Sequence, residues 1–188
     1  MSAAAALQRG YPRTLQCGGR SLELRRLCER DRKVLRRFVD RLSEQDLLFL
    51  RLDITDEKVM DQWIQEQDGE DWITVIALDG DEIAGYGTLH RDAMSWTRHL
   101  GEIRVIVGPD HRGLGLGAKL TDEIFQLARE LGLSKVIARM PLRQEGARRM
   151  FERLGFHAEA LLADWAIDRD GRTQDLVIMS HDVTGLTD

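Results

Sequence analysis

The chain has 188 residues, 43% hydrophobic and 31% charged, which fits one soluble globular domain with a sizeable core and argues against disorder. Lys+Arg 27 against Asp+Glu 32 leaves a net charge of −5, which points away from nucleic acid, whose binders carry a basic surplus. No run of about 18 apolar residues occurs, so no membrane span is expected.

Residues 1–20 read as a loosely held tail and residues 21–188 as the folded domain. Met1–Leu7 is too short for a signal peptide's apolar region. Cys17 and Cys28 are the only cysteines, and no Cys/His spacing suggests a metal site. A reduced, cytoplasmic compartment follows.

Ser21 to Leu27 alternates as a first strand. Arg30 to Leu42 places Val34, Leu35, Phe38, Val39 and Leu42 at helical spacing. Ser43 to Asp46 has the pattern of a helix start. Thr55 to Gln67 repeats the helical period through Val59, Met60, Trp63 and Ile64. Trp72–Leu78 and Glu82–His90 are β-rich runs joined at Asp79-Gly80, a hairpin signal. Leu100 to Val107 is a third such run.

An amphipathic helix over Ala118–Leu131 follows, with Gly132 as its stop. Ser134 to Met140 is a further strand. Gln144 to Leu154 is a helix closed by Gly155, and 158–168 with 172–179 form a hairpin around Asp170-Gly171. The order β-α-α-β-β-β-α-β-α-β-β describes a mixed α/β sheet in one domain.

The most informative stretch is Val107-Gly-Pro-Asp-His-Arg-Gly-Leu-Gly-Leu-Gly-Ala118, between a strand and a helix start. A glycine-rich turn there leaves backbone N–H groups unpaired, with the positive end of the helix dipole behind them. That is a site for a phosphate or pyrophosphate. Three loops compete for it. A nucleotide P-loop needs Gly-Lys-Ser/Thr at its end, whereas Gly117 is followed by Ala118, Lys119 and Leu120. The dinucleotide fingerprint G-x-G-x-x-G/A matches Gly113, Gly115 and Ala118 literally. Its acidic partner is missing, because the next strand ends in Arg139-Met140. Coenzyme A is the third ligand.

Arg112-x-x-Gly115-x-Gly117 resembles the R/Q-x-x-G-x-G/A signature of the GNAT superfamily of N-acetyltransferases. Gln144-x-x-Ala147-x-x-Met150-Phe151-x-x-x-Gly155-Phe156 is similar to that family's N-x-x-A-x-x-L-Y-x-x-x-G-F helix. The resemblance covers nearly all of the chain beyond the tail. It implies a single α/β domain with a mixed, mostly antiparallel sheet, splayed central strands and flanking helices. It implies acetyl-CoA as co-substrate and no metal. The resemblance places the pyrophosphate at Arg112, Gly113, Leu114, Gly115, Leu116, Gly117 and Ala118. It sets the pantetheine along Val105, Ile106 and Val107, like an added strand, with an N–H near Ile106 or Val107 facing the thioester carbonyl. Gln144 and Phe151 would lie beside that arm.

Glu102, in the half-apolar run Leu100-Gly-Glu-Ile-Arg-Val, stands where several family members place a catalytic glutamate. It is the candidate for taking the ammonium proton, against pairing with Arg104 or Arg91. His90 and Glu82 are weaker alternatives. Phe151 replaces a tyrosine often assigned as the acid for the departing thiolate, and phenylalanine holds no proton. His111 is expected to face solvent. The basic face Arg143, Arg148, Arg149 and Arg153 is either solvated or meets the 3′-phosphate. Segments Phe38–Leu50 and Arg169–Met179 resemble acetyltransferase domains of bacterial protein-lysine acetylation enzymes. The expected reaction is acetyl transfer to a primary amine, of a small molecule or a protein lysine, by direct attack. The competing class is a non-catalytic acyl-CoA-binding regulatory module. A homodimer stays open.

Overall fold

The computed structural model describes residues 10–47, 50, 52–69, 71–168 and 170–183. Of the expectations above, the first nine residues of the tail, Leu48 and Phe49, and Arg169 lie outside the described residues. The elements run β1 (Arg13–Cys17), β2 (Arg20–Arg26), α1 (Arg32–Asp40), α2 (Glu44–Leu47), α3 (Glu57–Gln65), β3 (Trp72–Asp79), β4 (Glu82–His90) and β5 (Leu100–Val107). They continue with α4 (Leu116–Glu130), β6 (Lys135–Pro141), α5 (Glu145–Arg153), β7 (His157–Ile167) and β8 (Thr173–Asp182). The strands form one eight-stranded sheet in the order β1-β2-β3-β4-β5-β6-β8-β7, antiparallel except where β5 meets β6.

One expectation is corrected at once. Part of the 1–20 tail is a strand: β1 pairs with β2 in register from Arg13↔Leu24 to Cys17↔Arg20. Gly18 and Gly19 turn the hairpin, both at positive φ, the geometry that tight hairpin turns require. Cys17 is buried, and Tyr11 and Arg13 both reach Glu123 of α4. The segment reads as a tail because its five strand residues are mostly polar and only Cys17 is fully buried, with Leu15 partly packed on the core.

The period-2 alternation of the strands sorts side chains onto two faces. On one face α4 buries Leu116, Leu120, Ile124 and Leu127 against Val75, Ala84, Ile103, Val136, Ala138 and Met140, with Phe151 of α5 beside them. On the other, Leu35, Phe38 and Val39 of α1 and Met60, Trp63 and Ile64 of α3 cover Ile76, Leu78, Ile83 and Tyr86. An Asp56 side chain accepting from the Lys58 and Val59 N–H groups starts α3.

The site arises where the sheet opens. β5 pairs with β6 only from Leu100↔Lys135 to Glu102↔Ile137. Beyond Glu102, β5 stays with β4 as far as Val107, and β6 stays with β8 as far as Pro141. The two central strands therefore part. The register decides which groups face the gap. The Gly108 N–H donates to the Ala84 carbonyl at 2.8 Å, so in this antiparallel pair the alternating direction turns Ile106 and Arg104 main-chain groups toward β4. Val105 and Val107 face the gap. This corrects the expectation for the Ile106 N–H, which points into the sheet.

Candidate active site

A cavity of about 760 Å³ fills the gap. Its sides are β5 from Ile103 to Val107, β6 from Ala138 to Met140, the glycine loop with the start of α4, Gln144 and Phe151 around α5, and Ser43 to Asp46 at α2.

The glycine loop is built for an anion. Gly113 and Gly115 adopt φ of 74° and 85°, which side chains with a Cβ occupy only with strain. A Cβ at either position would meet nothing within 4 Å, so backbone sign, not crowding, demands glycine there. Gly115 is the N-cap of α4 and provides no side-chain cap. The first-turn N–H groups thus look into the cavity with the helix dipole behind them. The helix begins two residues before the expected Ala118, at Leu116, so the loop and helix start are one unit. Gly117 has a different reason: its Cβ would lie 3.1 Å from Met150 Sδ, where α5 closes on α4.

The other residues expected around the donor divide. Val105, Ile106, Val107, Arg112, Gly113, Gly115, Leu116, Gly117, Ala118, Gln144 and Phe151 all line the cavity. Leu114 does not. Its side chain abuts Gly18, and its carbonyl accepts the Cys17 thiol at 3.2 Å, so it ties the loop to the N-terminal hairpin. Phe151 is buried and packs edge-to-face on Phe156 at 4.9 Å, serving core and cavity together.

Arg112 is already engaged. It meets Asp46 at 2.7 Å and donates through Nε to the Val107 carbonyl at 3.2 Å. Burial pushes the Asp46 carboxyl up, but hydrogen bonds from Arg112 and Ser43 outweigh it and hold the group below the usual carboxylate range. His111 is 8% exposed and its Nε2 lies 3.0 Å from Asp79. It is therefore buried against Asp79 at the edge of the cavity it helps to line, contrary to the expected solvent-facing position. Tyr86 sits among Phe38 and Trp63 in the α1–α3 core, away from the cavity.

Glu102 lies at the point where the strands part, buried to 5% exposure. It is not on the cavity lining. Arg104 donates to Oε1 from Nε at 3.2 Å and from Nη2 at 2.8 Å. Arg139 Nη2 approaches Oε2 at 3.2 Å, a charge contact rather than an aligned hydrogen bond. The alternative pairing with Arg104 is thus present, joined by Arg139, which sequence reasoning missed. Its signal was visible: a charged residue in the apolar strand Val136–Met140, read above only as the absence of an acid. Arg104 and Arg139 both line the cavity. Of the basic face on α5, Arg153 reaches the cavity, while Arg149 pairs with Glu145 at 2.8 Å.

These features agree with comparisons to known proteins. The family model described as "Acetyltransferase (GNAT) family" matches residues 37–156. The chain belongs to the GNAT family of acetyltransferases. Among curated proteins, a mycothiol acetyltransferase from Geodermatophilus obscurus is 33% identical over 93 residues, 48% of this chain and 30% of that protein. The L-amino acid N-acyltransferase MnaT from Escherichia coli is 33% identical over 82 residues, 44% of this chain and 47% of its own. The chain thus spans less than half the length of these curated relatives. In solved GNAT structures, an acetyltransferase from Streptococcus pneumoniae superposes with TM-score 0.74 at 23% identity, covering 86% of this chain and 99% of that one. YncA from Salmonella typhimurium, solved with acetyl-CoA, gives 0.73 at 20% identity, covering 86% and 94%. The fold is therefore the GNAT fold, with the expected mixed, mostly antiparallel sheet.

Proposed function

We propose that the protein transfers the acetyl group of acetyl-CoA to a primary amine in a ternary complex. The observation that carries this reading is the uncapped α4 N-terminus opening onto the same cavity as the exposed main chain of Val105 and Val107. The pyrophosphate would sit on the N–H groups from Gly113 to Ala118, the pantetheine would extend β5 at Val105 and Val107, and Gln144 and Phe151 would flank it. The α4–α5 face then belongs to the donor. The amine comes from the α1–α3 face. Its nitrogen attacks the thioester carbon, the C–N bond forms, and the C–S bond breaks. The ammonium proton goes to water, and the thiolate, a tolerable leaving group, takes its proton from water because Phe151 has none. Arg112 steadies the loop through Asp46.

With both carboxylate oxygens against guanidinium groups, Glu102 acts in this reading as a positioning residue that sets Arg104 and Arg139, in place of the direct base. The relatives' names span different acceptors, so none carries over. Free Cys17 and Cys28 agree with a reducing, cytoplasmic compartment.

The test is thermal stability with acetyl-CoA, with CoA and with a nicotinamide cofactor, since a ligand of the folded state raises the midpoint. Acetyl-CoA should raise it in the wild type and fail to in Gly115→Glu. Gly171→Glu, equally strained at φ 78° but in the β7–β8 turn, should keep the response. A response only to the nicotinamide cofactor would overturn the reading. The absence of a phenol at Phe151 favours a second reading, the non-catalytic acyl-CoA-binding module. It predicts the same midpoint shift with no thiol released by any amine.

A further inference from the structure

The acceptor side of the cavity carries a second recognition element. Ile103, Val105 and Val107 pack with α4, as do Val136, Ala138 and Met140. Alternation along the strands therefore sends Glu102, Arg104 and Arg139 to the opposite face, the one covered by α1 and α3. Their mutual contacts across the gap agree. Two guanidinium groups share one carboxylate there, and both guanidinium-bearing residues line the cavity that Glu102 does not. Arg104 is 18% exposed and Arg139 is 38% exposed. Glu102 holds the pair from behind, taking Arg104 Nε and Nη2 and facing Arg139 Nη2, so the two cations are fixed beside the cavity.

Resting on the donor reading above, we propose that Arg104 and Arg139 hold a carboxylate of the acceptor, and that the acceptor is an α-amino acid or a close analogue. Charge-assisted hydrogen bonds from a guanidinium to a carboxylate are stronger than neutral ones, and two guanidinium groups sharing one carboxylate leave a net positive charge beside the cavity. The donor's phosphates do not compete for this place: the glycine loop follows Val107, three residues on from Arg104, roughly 10 Å along the strand. The length of the acceptor follows from the same strand. Arg104 adjoins Val105, whose main chain faces the gap where the thioester would lie. A carboxylate held by Arg104 thus leaves room for only a few bonds to the attacking nitrogen. An acceptor without an anion gains nothing from the two cations, and a lysine side chain or a polyamine brings its positive charge toward them.

The experiment uses the full chain saturated with CoA. Calorimetry compares α-amino acids with their carboxamides, which keep the amine and lose the charge. Thiol release from acetyl-CoA is followed on the same panel, with a lysine-containing peptide added. Arg139→Gln is the test variant, and Arg149→Gln, on an outer pair of α5, is the control. We expect the carboxylate form of at least one amino acid to bind about tenfold or more tighter than its amide. The ratio should fall to near one in Arg139→Gln and persist in Arg149→Gln, while the midpoint shift with acetyl-CoA stays intact in both. Equal or tighter binding of the amide, a preference for the lysine peptide, or a ratio untouched by Arg139→Gln would each overturn the inference while leaving the donor site standing. Arg139-dependent binding without thiol release would keep the inference and overturn acetyl transfer. Failure to bind acetyl-CoA would overturn both.

Discussion

Replacing Glu102 by glutamine separates two roles that share one position. The carboxylate is 4% exposed and touches Arg104 at 2.8 Å and Arg139 at 3.2 Å. At charge separations of about 4 Å and an effective dielectric near 20, each pair is worth about 4 kcal/mol of attraction before desolvation is set against it. Removing one partner of a buried cluster typically costs about 3–5 kcal/mol, because the remaining charges are left facing each other. Arg139 is more than a third exposed, so solvent screens part of this and the lower end, about 3 kcal/mol, applies. For a domain of this size that lowers Tm by about 6–12 °C. Part should return in high salt, which screens the two guanidinium groups from each other. In Glu102→Gln/Arg139→Gln the loss should be smaller than the sum of the single losses, with a coupling of about 1 kcal/mol or more. Thermal unfolding of the four proteins measures this, and steady-state kinetics on the same samples should show a rise in acceptor KM exceeding the fall in kcat. An unchanged Tm together with loss of kcat and an altered pH profile would refute the argument and restore Glu102 as the base.

Other parts of the structure make separate demands. A Cβ on Gly87 would lie 2.6 Å from Ile124 Cγ1, so Gly87→Ala should push α4 off β4 at about 1–3 kcal/mol, read as a lower midpoint in urea. Because Arg112 is already paired with Asp46 and the Val107 carbonyl, Arg112→Ala should weaken acetyl-CoA binding far less than Gly115→Glu does, as calorimetry would show. Burial pushes the Asp31 carboxyl up, but two Arg25 N–H groups at 2.6 Å and the Cys28 N–H outweigh it and hold the group low. A depressed folded-state value stabilises above the unfolded carboxyl's range and is lost as pH falls through the folded value. Tm should therefore drop as pH goes below about 4, and Asp31→Asn should be less stable at neutral pH with a flatter acid limb. Deleting residues through Gly19 removes the Cys17 contact to Leu114 and should weaken acetyl-CoA binding along with Tm.

Much of this was legible because local physics writes it locally. The helical period in Val34–Leu42 and Val59–Ile64, the Asp79-Gly80 and Asp170-Gly171 turns, and the β-rich runs Trp72–Leu78 and Glu82–His90 each need only neighbours in the chain. The glycine loop was legible for the same reason: the left-handed backbone at Gly113 and Gly115 leaves a mark no other residue supplies. The β1 strand was not legible, because a short polar edge strand is defined by its partner and not by its own pattern. His111 was misplaced on similar grounds, since Asp79, which holds it, lies far away in sequence.

By itself, then, the sequence determined the order of the elements that follow β1, the anion-binding turn and the family these imply. The tertiary structure decided what depends on strands meeting or failing to meet. Parallel pairing of β5 and β6 stops at Glu102, and that single event opens the cavity, leaves the gap-facing main chain of Val105 and Val107 without a neighbouring strand, and sets Arg139 of β6 against the carboxylate beside Arg104. No residue of β5 encodes that alone, because a strand's open edge is a property of its missing neighbour.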